Sequence, residues 1–295
     1  NKFLMQKNTS MAKATPRPII LISERFGYNS GGEAIKAQQY FNFLQANGFD
    51  VTVITAERSK FSHGAEVPDE KLWLIKDTVF QQVLWRFPPL RPFLGVYFQW
   101  RARQMVQRHA GKGPKPVLHY ISPVSPVAIR FPIKGYRNIL GPLTGNIYYP
   151  KGFRDRMSVG NRIREMLHSA AQVLFGKVLG DKRNIDEFLI SGYERTRKSL
   201  RTAGCPESKM TDVVDSGVSE KLLGLPRVSH SGVNAKFMCS GRLVDHKGID
   251  LAIRAVAQAD PSVTLAIYGD GVERPKLETL VDTLGLRERV TFHGW

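Results

Sequence analysis

The chain has 295 residues, 42% hydrophobic and 23% charged, which is enough for two domains with their own cores and excludes a disulfide-stapled module, a coiled coil or a disordered chain. The net charge of +17 is unevenly placed: residues 216–295 hold ten Lys/Arg against nine Asp/Glu, leaving 33 against 17 in residues 1–215. Only two cysteines occur, Cys205 and Cys239, and neither sits in a CxxC or Cys/His spacing. Two reduced, partly buried thiols are expected, with no disulfide framework and no metal site.

Residues 1–18 are polar and basic without the apolar stretch of a signal peptide, and they read as a disordered leader of a cytosolic protein. An apolar run, Ile19–Ser23, then meets a turn, Gly27-Tyr-Asn-Ser-Gly-Gly32. A helix follows with Ala37, Tyr40, Phe41 and Leu44 on one face. Asn47 and Gly48 stop that helix, and Phe49–Thr55 returns as a β-branched strand, closing a βαβ unit of a Rossmann-like sheet.

From Thr78 to Arg154 the chain has twelve Lys/Arg and no Asp or Glu, interleaved with aromatics such as Phe80, Trp85, Phe87, Phe93 and Trp100. Such a segment implies an anionic counterpart. No window gives a spanning helix; the best candidate, Val117–Ile129, is interrupted by His119, Pro123 and Pro126. Further on, Val117–Tyr120, Asn138–Leu140 and Glu187–Ile190 read as short strands and Val159–Phe175 as a helix.

Residues 19–217 therefore form an N-terminal Rossmann-like domain, and the Gly-, Pro- and Ser-rich stretch 218–234 is the linker. Residues 235–295 restart the plan. Strands Lys236–Ser240, Val263–Tyr268 and Val290–Phe292 alternate with a helix using Ile249, Ala252, Ile253 and Val256 and one running from Pro275 to Gly285. Three parallel strands are half of a doubly wound sheet, so a partial second Rossmann-like domain is expected.

Ligands of open parallel sheets bind at the carboxyl ends of the strands, and three loops lie there. Gly31 and Gly32 let backbone N–H groups approach a phosphate at the start of a helix. In Ser240-Gly-Arg-Leu-Val-Asp-His-Lys-Gly-Ile249, Arg242 and Lys247 stand at a helix N-terminus, a poor place for cations unless an anion such as a diphosphate joins them. Gly269-Asp270-Gly271 permits close backbone approach, with Asp270 either contacting a ligand or capping the turn.

The stretches FMCSGRLVDHKGIDLAIRAV and LAIYGDGVERPKLETLVDTLGLRERVTFHGW resemble the second domain of family-4 glycosyltransferases of the GT-B fold. The SGGEA loop, the LISGYERTRKSL segment and the VVDSGVS segment are similar to first-domain landmarks in the same order. The resemblance implies two Rossmann-like domains with parallel sheets facing a cleft. It implies a nucleotide-diphosphate sugar co-substrate with Arg242 and Lys247 on the diphosphate, Gly269, Asp270 and Gly271 beside the nucleoside, and Gly31 and Gly32 facing the donor. His119 resembles a family histidine that reaches the sugar, with a packed core residue as the equal alternative. Gly141-Pro-Leu-Thr-Gly145 resembles a cleft loop, with Thr144 in place of a glycine. The family's acidic motif, Glu, seven residues, Glu, is not reached before Trp295, which reads as a truncation.

No Asp-x-Asp motif is present, so transfer without a metal or other cofactor is expected, with retention at the sugar carbon as the family implies. Arg86, Arg91, Arg101 and Arg103, set among aromatics, suit docking on an anionic membrane or binding a lipid-linked acceptor. The competing expectation is a helical hairpin with arginines at its rim, since Pro88, Pro89 and Pro92 interrupt the pattern. Two rival functions remain: an NAD(P)-dependent oxidoreductase or epimerase with Glu57 as its ribose-binding acid, which lacks GxGxxG, and a basic nucleic-acid-binding protein, which leaves the repeated phosphate loops unexplained.

Overall fold

The computed structural model describes residues 17–28, 31–57, 67–109, 113–145, 152, 159–178, 180, 182–218, 223–226 and 236–295. Most of the proposed leader and most of the proposed linker lie outside them. The chain divides into two compact units, Asn1–Val218 and Ser219–Trp295.

The first unit is built on seven parallel strands. They are β1 (Ile19–Ile22), β2 (Val51–Ala56), β3 (Leu72–Ile75), β4 (Val117–Tyr120), β5 (Arg137–Leu143), β6 (Glu187–Ile190) and β7 (Met210–Asp212), in the order β3-β2-β1-β4-β5-β6-β7. The order reverses between β1 and β4, the place where open sheets of this kind bind ligands. Successive strand residues face opposite sides. Leu21 and Val53 meet Phe41 of helix α1 (Gly32–Ala46) on one face, whereas Ile20, Ile22 and Ile54 share a core with Phe98, Ala102 and Val106 of α3 (Pro92–His109) on the other. Two further helices, α4 (Val159–Val173) and α5 (Tyr193–Thr202), complete this unit.

Helix α1 ends as its sequence predicts, with Gly48 at φ +80° and its N–H bonded to the Gln45 carbonyl. The segment after β3 folds as two helices, α2 (Val79–Arg86) and α3, so the prolines mark the turn between them and the first turn of α3. A capping box starts α2: the Thr78 hydroxyl accepts the Gln81 N–H and the Gln81 side chain accepts the Thr78 N–H. Leu94, Phe98, Ala102 and Val106, four residues apart, form the buried stripe of α3.

The second unit holds β8 (Lys236–Ser240), α6 (Ile249–Gln258), β9 (Thr264–Tyr268), α7 (Arg274–Thr283) and β10 (Val290–Gly294), all strands parallel in the order β10-β9-β8. One apolar core joins Ile253 and Val256 of α6 and Leu277 and Val281 of α7 to Leu265, Ile267 and Val290 of the sheet. Right-handed crossovers running in one direction put both helices on the same face. Met238, Tyr268, Thr291 and His293 on the opposite face are accordingly exposed.

Candidate functional site

In the second unit the loop after β8 is held on both sides by backbone bonds. Gly241 N–H bonds to Tyr268 O at 2.9 Å, Leu243 N–H to Asp270 O at 2.9 Å, and Glu273 N–H to Leu243 O at 3.1 Å. Leu243 is fully buried, so its neighbour Arg242 points outward and is exposed. Lys247 closes a 3-10 turn, Asp245–Lys247, and Gly248, at φ +65°, caps α6 without any side-chain bond to the helix N-terminus. Among the described residues no carboxylate pairs with Arg242 or Lys247. A fixed loop thus presents two exposed, unpaired cations beside uncapped helical N–H groups, which suits a diphosphate.

The glycines of the next loop have a different reason to be glycine. A Cβ on Gly269, which has φ +138°, would lie 1.9 Å from the Gly241 carbonyl oxygen, and one on Gly271 would lie 2.3 Å from that of Leu243. Both positions are therefore required by the contact between the two loops. Asp270 accepts the Gly271 N–H at 2.7 Å and lies 3.5 Å from Arg274, so it caps its own turn. Tyr268 stacks on His293, with ring centres 4.4 Å apart. That pair was not anticipated; the signal available was an aromatic at each of two neighbouring strand ends.

In the first unit Gly31, at φ +90°, precedes α1 with no side-chain cap, and a Cβ on Gly31 or Gly32 would meet nothing within 4 Å. Glu33 in the first turn of α1 has a carboxyl raised above the usual range by burial, opposed by a bond from the Val124 N–H and by Lys36 and Arg130. Lower on α1, buried Lys36 donates to Asp215 at 2.5 Å, and the same oxygen accepts from Ser191 at 2.7 Å. Gln39 donates to the Gly217 carbonyl at 3.3 Å. The helix that follows the glycine loop is thus fastened to the segment after β7.

His119 lies within β4, paired with Leu21 of β1 and Ile139 of β5, and is 6% exposed. Its Nε2 donates to the Gly141 carbonyl at 2.9 Å, and Tyr40 packs edge-on against its ring at 5.3 Å. Burial lowers its pKa to about 4, although the bond to Gly141 favours the charged form. This is a neutral imidazole with its donor already used inside the sheet, the geometry of a packing residue. Glu57 directly follows β2 at the carboxyl edge.

The four arginines of the hairpin do not form one row. Arg103 reaches back to the Pro132 carbonyl, and Arg101 bonds to the Tyr97 hydroxyl at 2.9 Å. Arg130 of the same acid-free segment is fully buried, donating to the carbonyls of Ser125, Ala128 and Pro123. Arg86 and Arg91 are exposed and line a cleft of about 950 Å³ between α2, α3 and the loop after β1. Outside it, Phe80, Phe87, Phe93 and Trp100 are exposed, with Tyr97 touching both Phe80 and Trp100. Among the described residues no helix is long and apolar enough to cross a membrane, and no group of three or more His, Cys, Asp or Glu is placed to hold a metal ion.

The loops of the second unit fall in the stretch that matches a known family: residues 228–295 fit the model of glycosyl transferases group 1. The chain is 51% identical over 55 residues to the lipopolysaccharide core biosynthesis glycosyltransferase LpsD of Rhizobium meliloti, covering 19% of this chain and 16% of that protein. With LpsE of the same organism it shares 47% over 58 residues, or 20% and 17% of the two chains. The match thus spans about one sixth of each curated relative. Solved structures extend the likeness to nearly the whole chain. The lipopolysaccharide outer core galactosyltransferase WaaB (16% identity, TM-score 0.52) aligns over 94% of this chain and 68% of its own. WaaG, a glycosyltransferase involved in lipopolysaccharide biosynthesis (14%, 0.55), aligns over 94% and 70%. Anabaena Alr3699/HepE in complex with UDP and glucose (15%, 0.52) aligns over 95% and 69%. The fold is that of the GT-B glycosyltransferases.

The group 1 segment contains Arg242, Lys247, Gly269, Asp270 and Gly271, whereas Gly31, Gly32, His119 and the hairpin arginines lie outside it. The two exposed cations Arg242 and Lys247 therefore lie within the group 1 match.

Proposed function

We propose that the protein is a glycosyltransferase that moves a sugar, with retention, from a nucleotide-diphosphate sugar to a glycan or lipid-linked acceptor of the cell envelope. The observation that carries this reading is the loop after β8, where Arg242 and Lys247 stand exposed and unpaired beside the uncapped start of α6. The donor diphosphate fits there, its charge met by two side chains and helical N–H groups without a metal ion. Within the first unit, Gly31 and Gly32 put small residues at the start of α1.

In the transfer the acceptor oxygen attacks the anomeric carbon from the face that the diphosphate leaves. The carbon–oxygen bond to phosphate breaks, the glycosidic bond forms, and the acceptor proton passes to the departing phosphate oxygen. No protein nucleophile is needed. The names of LpsD and LpsE support an envelope oligosaccharide as acceptor, and the UDP and glucose of Alr3699/HepE make UDP-glucose the first donor to try. The exposed aromatics and arginines of the α2–α3 hairpin suit reversible docking on the anionic inner face of the membrane, with the protein otherwise cytoplasmic.

The test is incubation of the protein with labelled UDP-, GDP- and ADP-glucose and with membranes as acceptor. Label in the lipid-linked fraction, in a linkage that keeps the donor's anomeric configuration, is the expected result. Transfer of none of the three with intact nucleotide recovered counts against the reading, and an inverted linkage removes the retaining mechanism.

A further inference from the structure

Helix α1 carries polar side chains on a face that packs inside the first unit. Glu33, Lys36 and Tyr40 follow one another at helical spacing and so share that face, and each reaches a different part of the carboxyl edge of the sheet. Glu33 accepts the Val124 N–H in the loop after β4. Tyr40 packs edge-on against His119, whose Nε2 donates to the Gly141 carbonyl of β5. Lys36, with 5% of its side chain exposed, donates to Asp215 after β7 at 2.5 Å. Neighbouring strands lie about 4.8 Å apart, which puts β7 about 19 Å from β1 across the sheet. The segment after β7 therefore turns back along the carboxyl edge to meet α1. Its course is marked by the Val213 N–H on the Ile190 carbonyl at 2.8 Å, then by Asp215, then by the Gly217 carbonyl, which accepts from Gln39.

The Asp215 carboxylate is the junction. The oxygen that accepts from Lys36 also accepts from the Ser191 hydroxyl at 2.7 Å, and Ser191 Oγ stands 3.2 Å from the Thr144 hydroxyl. The N–H groups of Ser191 and Gly192 both bond to the Leu143 carbonyl. One ion pair thereby joins α1 to the chain that follows β5, β6 and β7. Stability alone does not call for it, because the cost of taking an ammonium out of water offsets much of the attraction, and an apolar pair of similar volume serves as well. An apolar pair, however, holds no hydroxyl. We propose that Lys36 and Asp215 are positioning residues, whose ion pair fixes the loops after β5, β6 and β7 against α1 and so presents the groups on that edge in one geometry for transfer. Neither touches the reacting atoms in this role; each acts through the loops that it holds. The assignment rests on the glycosyltransferase reading, since the carboxyl edge is where an open parallel sheet places its chemistry.

The full chain is compared with Lys36→Met, with Lys36→Met, Asp215→Leu and with Ser191→Ala, by hydrogen-exchange mass spectrometry, urea unfolding and transfer from labelled UDP-, GDP- or ADP-glucose to membranes. Lys36→Met is expected to speed exchange by about tenfold or more in residues 32–40, 190–193 and 213–217, with β8, β9 and β10 as the unchanged reference. The double variant regains its urea midpoint through the apolar pair. It should nevertheless keep the fast exchange, with kcat about tenfold or more below that of the unaltered chain and the donor KM unchanged. Ser191→Ala keeps the ion pair and should loosen 141–145 and 190–193 but not 213–217. Slow exchange and full kcat regained together with stability in the double variant overturn the proposal, because the pair is then only structural support. A raised donor KM at unchanged kcat overturns it too. Exchange in Lys36→Met equal to that of the unaltered chain, with transfer intact, removes the positioning role and leaves the glycosyltransferase reading standing. Absence of transfer by the unaltered chain from all three donors removes that reading and the positioning role with it.

Discussion

Gly269→Ala separates the two reasons that a glycine can follow β9. A ligand-facing glycine tolerates a methyl group in the unliganded protein, whereas here the added Cβ falls 1.9 Å from the Gly241 oxygen and 2.9 Å from its carbonyl carbon. The Gly241 peptide cannot retreat freely, because its N–H is bonded to Tyr268 and the adjoining Leu243 N–H to Asp270. Backbone strain at φ +138° costs about 1–3 kcal/mol. Relief of the overlap adds about 1–3 kcal/mol for forced repacking and the weakening of one loop hydrogen bond. The expected loss of about 2–6 kcal/mol is comparable with the whole stability of a unit this small. Hydrogen-exchange mass spectrometry reads it as faster exchange throughout β8, β9 and β10, with the β1–β7 peptides as an unchanged internal reference. Gly31→Ala, whose Cβ meets nothing within 4 Å, is the control and loses only the backbone term. Unchanged exchange in Gly269→Ala together with lost nucleotide binding would refute the reasoning and return this glycine to the ligand.

Three further outcomes follow from particular contacts. Asp215→Asn leaves the buried Lys36 ammonium without its counter-ion and lowers stability by about 2–4 kcal/mol in urea unfolding, below the full value for an enclosed pair because Asp215 is half-exposed; a loss under 0.5 kcal/mol would show that the contact is idle. His119 has a folded pKa of about 4 against 6.5 unfolded. The unfolded chain therefore takes up a proton first, and stability falls as the pH drops from 6.5 to 4, by about 3 kcal/mol at most, with no further contribution below that; His119→Gln should flatten this part of the profile. Sedimentation with vesicles containing anionic lipid should carry the protein down, and a Phe87→Ser, Phe93→Ser variant should remain in solution; equal sedimentation with neutral vesicles would remove electrostatic docking.

The βαβ start, the second-unit strands and the helix ends were legible because apolar spacing, β-branched runs and Gly or Pro punctuation agreed locally. Strand β3 was missed: Leu72-Trp-Leu-Ile is four residues long, shows no alternation and lies at the sheet edge. Helices α2 and α3 were obscured by Pro88, Pro89 and Pro92, which fall between the helices and at the start of α3 and so interrupt neither. The loop position of Arg242 and Lys247, after β8 and before α6, was legible from the strand and helix patterns on either side. Residue type did not predict that Gly269 and Gly271 answer to the carbonyls of Gly241 and Leu243, a contact between segments almost thirty residues apart in sequence. Nor did composition separate buried Arg130 and inward Arg103 from Arg86 and Arg91, since charge counts carry no direction. The cleft between α2, α3 and the loop after β1 depends on that same tertiary placement.

Calorimetry of UDP, GDP and ADP binding to the unaltered chain and to an Arg242→Ala, Lys247→Ala double variant tests the central claim most directly. Both residues are exposed and unpaired, so the variant keeps its fold while losing two charge-assisted contacts, and affinity should fall by about a hundredfold or more. Saturable binding of one nucleoside diphosphate, lost in the double variant, is the predicted result. Binding that persists undiminished in the variant would contradict the assignment of the diphosphate to the loop after β8.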